Sequence, residues 1–211
     1  MIELVVFDLD GTLLNTLDDI VNSVNYALIK NNLQAYEKEE IKYMIGNGVD
    51  LLIKRAVKDN MNKFDNVKND YLEHYHNNCE IYTKPYDGII EGLLKLKKDN
   101  KKLAVFSNKP NDDTNKIINK YFPNIFDMVL GKKESNRIKP FPDGVNEIKK
   151  SLNIFDNGVF VGDSDVDVET GKNANMKTIG VLWGFRNEQY LKAADYIVSN
   201  FQELYEIIEE L

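Results

Sequence analysis

The chain of 211 residues is 43% hydrophobic and 29% charged, a composition suited to a soluble globular protein with one core and an accessory domain. A net charge of −7 and a pI near 5.0 argue against non-specific nucleic-acid binding, since the short lysine runs are mixed with apolar or acidic residues and form no segregated basic patch. One cysteine, Cys79, excludes an intramolecular disulfide and has no metal-ligand company, and no stretch approaches membrane-spanning length or reads as a signal segment, so a cytoplasmic protein with no membrane partner is expected.

The first element is an apolar run, Leu4 to Phe7, that stops abruptly in Asp8-Leu9-Asp10-Gly11-Thr12. Apolar residues on both faces predict an interior strand of a parallel sheet. Thr16 to Leu33 then carries Leu17, Ile20, Val21, Val24, Ala27 and Leu28 at helical spacing. Helical patterning continues over 39–45, is interrupted by Gly46-Asn47-Gly48, resumes over 49–57 and returns over 64–79. Residues 15–82 hold no persuasive strand, which predicts a helical domain inserted between 1–14 and 83–211.

Strands and helices then alternate. Helices are expected near 89–99, 113–121, 143–152, 167–174, 187–193 and 201–210, and strands over 102–106, 127–130, 158–161, 178–181 and 196–198. The fold class is α/β: a Rossmann-like parallel sheet with helices on both faces, plus the helical insertion.

In such sheets the crevice lies outside the carboxyl ends of the strands, so Asp8 and Asp10 would stand at its mouth. Two like charges so close raise one pKa or call for a cation, and magnesium with hard oxygen ligands answers that demand. Aspartate is also a possible nucleophile toward phosphorus. The bland alternative is a strand-to-helix turn in which Asp10 or Thr12 only caps the next helix. Ser107 and Asn108 end another strand and offer donors to phosphoryl oxygens, although the same residues suit a plain polar turn. Lys139, held before Pro140, is a candidate counter-charge. Gly162-Asp163-Ser164-Asp165-Val166-Asp167 forms an acidic loop that either holds a cation or complements a helix dipole.

The ordered set Asp-x-Asp-Gly-Thr, Ser, Lys-Pro and Gly-Asp-Ser-x-x-Asp, each after an expected strand, resembles the haloacid dehalogenase superfamily along essentially the whole chain. The resemblance implies that Asp8 is the nucleophile and a magnesium ligand, and that Asp10 is the general acid and base and offers its backbone carbonyl to the metal. It makes Thr12, Ser107, Asn108 and Lys139 the phosphate-binding set. Asp163 would bind magnesium, with Asp167 supporting it directly or through a neighbour. Gly46-Asn47-Gly48 resembles the cap loop of phosphoglycolate phosphatases, where backbone donors would meet a small anionic substrate. Asn15, Gly171 and Asn175 depart from that pattern. The implied activity is a magnesium-dependent phosphatase of small phosphorylated metabolites, 2-phosphoglycolate first, from a monomer or homodimer. The alternatives are an inorganic pyrophosphatase, a sugar phosphomutase, and a binding protein that retains the fold without turnover.

Overall fold

The computed structural model describes residues 1–133 and 137–211. Its centre is β1 (Leu4–Phe7), whose four side chains are all buried. The chain then runs through β2 (Leu14–Asn15), α1 (Leu17–Lys30), α2 (Lys38–Met44), α3 (Val49–Val57), α4 (Phe64–Asn78), β3 (Lys84–Pro85) and α5 (Ile89–Lys98). It continues with β4 (Lys102–Pro110), α6 (Asn111–Tyr121), β5 (Met128–Lys132), α7 (Asp143–Leu152), β6 (Gly158–Gly162), α8 (Asp165–Asn173), β7 (Lys177–Val181), β8 (Tyr196–Val198) and α9 (Phe201–Glu210).

Six strands form one parallel sheet in the order β5-β4-β1-β6-β7-β8. Alternation along β1 explains why both faces are covered. Val5 and Phe7 join an apolar cluster with Leu93 of α5, Ile117 of α6 and Leu204 of α9, whereas Leu4 and Val6 join Val145 and Ile148 of α7. Each such aliphatic or aromatic side chain taken from water contributes about 1.5–3 kcal/mol. The order of strands reverses at β1, which pairs with β4 on one side and β6 on the other. Their carboxyl ends therefore flank one crevice.

Helices α1 to α4 pack on one another over residues 17–78, and their buried side chains belong to the same apolar cluster as the Val5 face of the sheet. The chain enters and leaves this block through β2 and β3, an antiparallel pair two residues long. Asp19 of α1 ties the exit to the entry by accepting hydrogen bonds from Tyr82 N, Thr83 N and Thr83 Oγ1. Two of the departures in pattern have a structural reason, one of packing and one of backbone conformation. A Cβ on Gly171 would stand 2.5 Å from Thr178 Cγ2 and 2.9 Å from Phe160 Cβ, so only glycine lets α8 lie this close to the sheet. Asn175 has φ +53°, a left-handed conformation that asparagine tolerates.

The helix over 167–174 in fact starts at Asp165, and the one expected over 187–193 shortens to a 3-10 turn, Glu188–Tyr190. Among the described residues no helix is long and apolar enough to cross a membrane.

Candidate active site

Asp8 follows the last residue of β1, and its N–H donates to Val161 O of β6 at 2.9 Å, so the neighbouring strand fixes the start of the loop. Gly11 turns the chain with φ +88°. A side chain there would run into the Asp163 carboxylate, so the loop after β1 and the loop after β6 touch across a glycine.

Lys139 lies between two carboxylates. Its Nζ is 2.6 Å from Asp8 Oδ1 and 2.6 Å from Asp167 Oδ1. The other oxygen of Asp167 accepts from Ser164 N and Ser164 Oγ, closing a capping box at the start of α8. Both Asp167 oxygens are thus committed to protein donors. Asp163 accepts from Phe185 N at 2.6 Å and, at 3.4 Å, from the Thr12 hydroxyl. All these groups are buried.

Three carboxylates facing one ammonium in a low-dielectric pocket leave an excess of negative charge. Burial, reinforced by the Asp167 charge, pushes the Asp8 carboxyl well above its ordinary range despite Lys139. Burial and Asp167 likewise push Asp163 up to about 7, against the pull of the Phe185 N–H. Burial alone would lower the Lys139 ammonium, but Asp167 and Asp8 outweigh it and raise its pKa. Oxygens of Asp8, Asp163 and Asp167 lie within 4.8 Å of one another, and with Asp167 taken by protein donors, Asp8 and Asp163 are the hard, anionic oxygens that fit a small divalent cation such as magnesium. The raised carboxyls carry the same message, since a dication there would restore them to the ionised form.

β4 shifts its pairing with β5 between Phe106 and Pro110, and the irregular stretch carries Ser107, Asn108 and Lys109 into the crevice. Ser107 Oγ accepts only the Lys109 N–H among the described residues, leaving its own proton available. Asn108 is fully engaged: its amide donates to Gly46 O and Lys139 O and its Oδ1 accepts the Lys139 N–H. It therefore anchors the Lys139 backbone to the helical block, and a phosphoryl oxygen would have to compete for it.

The crevice has an empty volume of about 620 Å³ including its open mouth. Its floor is Asp8, Asp10, Ser107, Lys139 and Asp163, and its roof is Ile20, Ile45, Val49, Leu52 and Tyr71 from the helical block. Gly46 and Gly48 line it, whereas Asn47 turns away and accepts from Arg55, whose other nitrogen donates to Met44 O.

Several residues at the site carry no signal of their own in the sequence. Lys109 pairs with Asp10 at 3.0 Å, and Thr16 donates to the same Asp10 oxygen at 2.6 Å. Arg186, beyond β7, reaches the carboxyl end of α2, donating to Lys42 O and Ile45 O at 2.7 Å each. Lys109 directly follows Ser107 and Asn108, and that proximity to the strand end is the available hint.

A parallel sheet with a buried carboxylate and lysine cluster at its switch point, roofed by an inserted helical block, defines a Rossmann-like hydrolase. The chain belongs to the haloacid dehalogenase-like hydrolases, whose family pattern it matches over residues 5–181. It is 35% identical over 190 residues to a phosphoglycolate phosphatase of Aquifex aeolicus, covering 86% of this chain and 85% of that one. A pyrophosphatase PpaX of Bacillus mycoides is 26% identical over 100% of this chain and 98% of its own. A crystal structure from Lactobacillus delbrueckii subsp. bulgaricus, provisionally described as a phosphoglycolate phosphatase, superposes with a TM-score of 0.93 at 33% identity over 98% of each chain.

Proposed function

We propose that the protein is a cytoplasmic, magnesium-dependent phosphatase of small phosphomonoesters, with 2-phosphoglycolate as its first candidate substrate. It is a phosphoric monoester hydrolase, and its reaction proceeds through an aspartyl phosphate on Asp8. The observation that carries this reading is the convergence of Asp8, Ser107 and Asp163, from the ends of neighbouring strands, with Lys139 from the turn before α7. The phosphoglycolate phosphatases among its relatives support a substrate with a short leaving group.

An Asp8 oxygen attacks phosphorus, forming the acyl phosphate as the ester P–O bond breaks. Lys139 offsets charge on the phosphoryl oxygens, and the Ser107 hydroxyl is free to donate to one of them. Asp10 gives its proton to the departing oxygen. It then takes a proton from the water that attacks phosphorus, which breaks the Asp8–P bond and frees phosphate. Asp8 and Asp163 would hold magnesium, with Asp167 positioned behind Lys139; the ion supplies charge neutralisation that lets the anionic nucleophile approach an anionic substrate. Residues 15–82 act as a cap whose closure excludes water.

The test is phosphate release from phosphoglycolate, pyrophosphate, hexose phosphates and nucleotides with and without magnesium. Phosphoglycolate should give the highest kcat/KM, and Asp8→Asn should lower it by at least ~10³-fold. Undiminished turnover in that variant would contradict the covalent route. The PpaX relatives favour pyrophosphate as the second reading, which the same panel separates.

A further inference from the structure

Lys109 is a buried lysine in the crevice that phosphoryl transfer as described does not use. Its ammonium is 3.0 Å from Asp10 Oδ1, donates to the Tyr75 hydroxyl at 2.7 Å, and stands 4.4 Å from the centre of the Tyr75 ring. Tyr75 belongs to α4 of the helical block, is itself buried, and stacks on Tyr71, which lines the roof. A lysine stripped of water is costly unless paired and hydrogen-bonded, so its place is defined by these partners rather than by solvation.

The consequence falls on Asp10. Its Oδ1 already accepts two donors, the Thr16 hydroxyl and Lys109, while among the described residues no donor reaches Oδ2. With an ammonium and a hydroxyl hydrogen taking the acceptor directions of Oδ1, Oδ2 is the oxygen left for a ligand in the crevice.

We propose that Lys109 is the positioning residue for Asp10, aiming Oδ2 at the leaving-group oxygen, and that Tyr75 of the cap holds Lys109 in place. General-acid chemistry is then fully assembled only while α4 rests on the core. This rests on the acid role of Asp10 proposed above. The link joins three segments: the loop after β1, the irregular end of β4, and a cap helix. It would couple closure to proton transfer without any cap residue touching the reacting atoms.

The test compares two esters. An alkyl phosphate such as phosphoglycolate needs its leaving oxygen protonated, whereas p-nitrophenyl phosphate releases a stable phenolate and does not. The parameter is kcat/KM, which covers steps up to formation of the aspartyl phosphate. Lys109→Met should lose ~10²-fold on phosphoglycolate, the scale of a general-acid contribution, and less than about threefold on p-nitrophenyl phosphate. Tyr75→Phe should show the same selectivity at about tenfold, and Lys109→Arg should recover part of the alkyl activity. Retained aryl turnover is itself proof of a folded site.

Equal losses on both esters in a Lys109→Met protein of unchanged melting temperature would assign Lys109 to packing or phosphoryl binding and overturn the proposal. Unchanged alkyl turnover would do the same. If Lys109→Met does not fold, Tyr75→Phe decides alone, by selective loss or its absence. If the wild type prefers another alkyl phosphate, the substrate reading falls but the comparison is made with that ester. Wild-type protein that turns over the aryl ester alone would remove the acid role and this inference together.

Discussion

Lys139 is held at 2.6 Å from both Asp8 and Asp167, and it is buried with them. Removing one member of a buried charge cluster costs more than the cluster ever contributed, because the remaining charges keep their desolvation without their partner. Lys139→Met should therefore abolish detectable turnover and lower unfolding free energy by about 3–5 kcal/mol at pH 8. The loss should be smaller at pH 5, where the Asp8 carboxyl, already displaced upward by burial and by Asp167, can neutralise itself with a proton. Urea unfolding at both pH values measures this difference. An equal loss at both would mean that the lysine stem, not its charge, matters.

At the level of elements, the carboxyl end of α2 is gripped from two directions. Arg55 of α3 donates to Met44 O, and Arg186 of the core donates to Lys42 O and Ile45 O. These carbonyls lack intrahelical partners, and a cation there also complements the helix dipole. Arg186 thus ties the loop after β7 to the helical block, and Phe185 beside it donates to Asp163. Arg186→Gln should raise KM for the preferred substrate about tenfold, equivalent to about 1.4 kcal/mol of lost closure, with kcat nearly unchanged. A fall in kcat at constant KM would place Arg186 in the chemistry instead. Such links show which parts of the fold could be read from sequence. Leu4 to Phe7 and Gly158 to Val161 are apolar throughout and α1 repeats at helical spacing, so strand, helix and strand-end carboxylates all follow from local pattern. β2 and β3 are two residues each, too short for any period, and the last residues of β4 are polar and read as a turn. Ser164 and Asp167 do carry a capping-box spacing that marks where α8 begins. The contacts of Lys109 with Tyr75 and of Arg186 with α2 cross 34 and more residues, and no local periodicity reports them.

For the molecule as a whole, the acidic site should couple folding to pH and, through the proposed cation, to metal. Asp163 is pushed up to about 7 from an ordinary 3.8, and Asp8 is displaced in the same direction, each chiefly by burial. A carboxyl whose pKa is higher in the folded state binds more protons there than in the unfolded chain, so ∂ΔG/∂pH of unfolding is negative across that interval. The stabilisation is complete below about pH 4, the unfolded value, and is lost as pH rises through the folded pKa near 7. Lowered carboxyls such as Asp50 and Asp127 act oppositely, but their window lies below the ordinary carboxylate pKa; the His74 imidazole, lowered by partial burial, opposes the slope only below its ordinary value of 6.5, which leaves the fall above that pH to the raised carboxyls. Metal-free protein should therefore melt at a lower temperature at pH 8 than at pH 5, with each kcal/mol moving Tm about 2–4 °C in a chain of this size. Magnesium held by the ionised carboxylates, as proposed, should raise Tm more at pH 8 than at pH 5, by about 2.7 kcal/mol of stability at one hundred times its Kd. Asp163→Asn removes both the titrating group and a ligand, and should flatten the metal-free pH profile while weakening the magnesium response. Melting curves at pH 5 and pH 8, with chelator and with magnesium, distinguish this from a general effect of the −7 net charge, which added salt would screen in both variants alike. A wild-type Tm that rises from pH 5 to pH 8 in chelator would mean that the buried carboxylates are already satisfied by protein donors, and the case for a cation between Asp8 and Asp163 would lose its electrostatic basis.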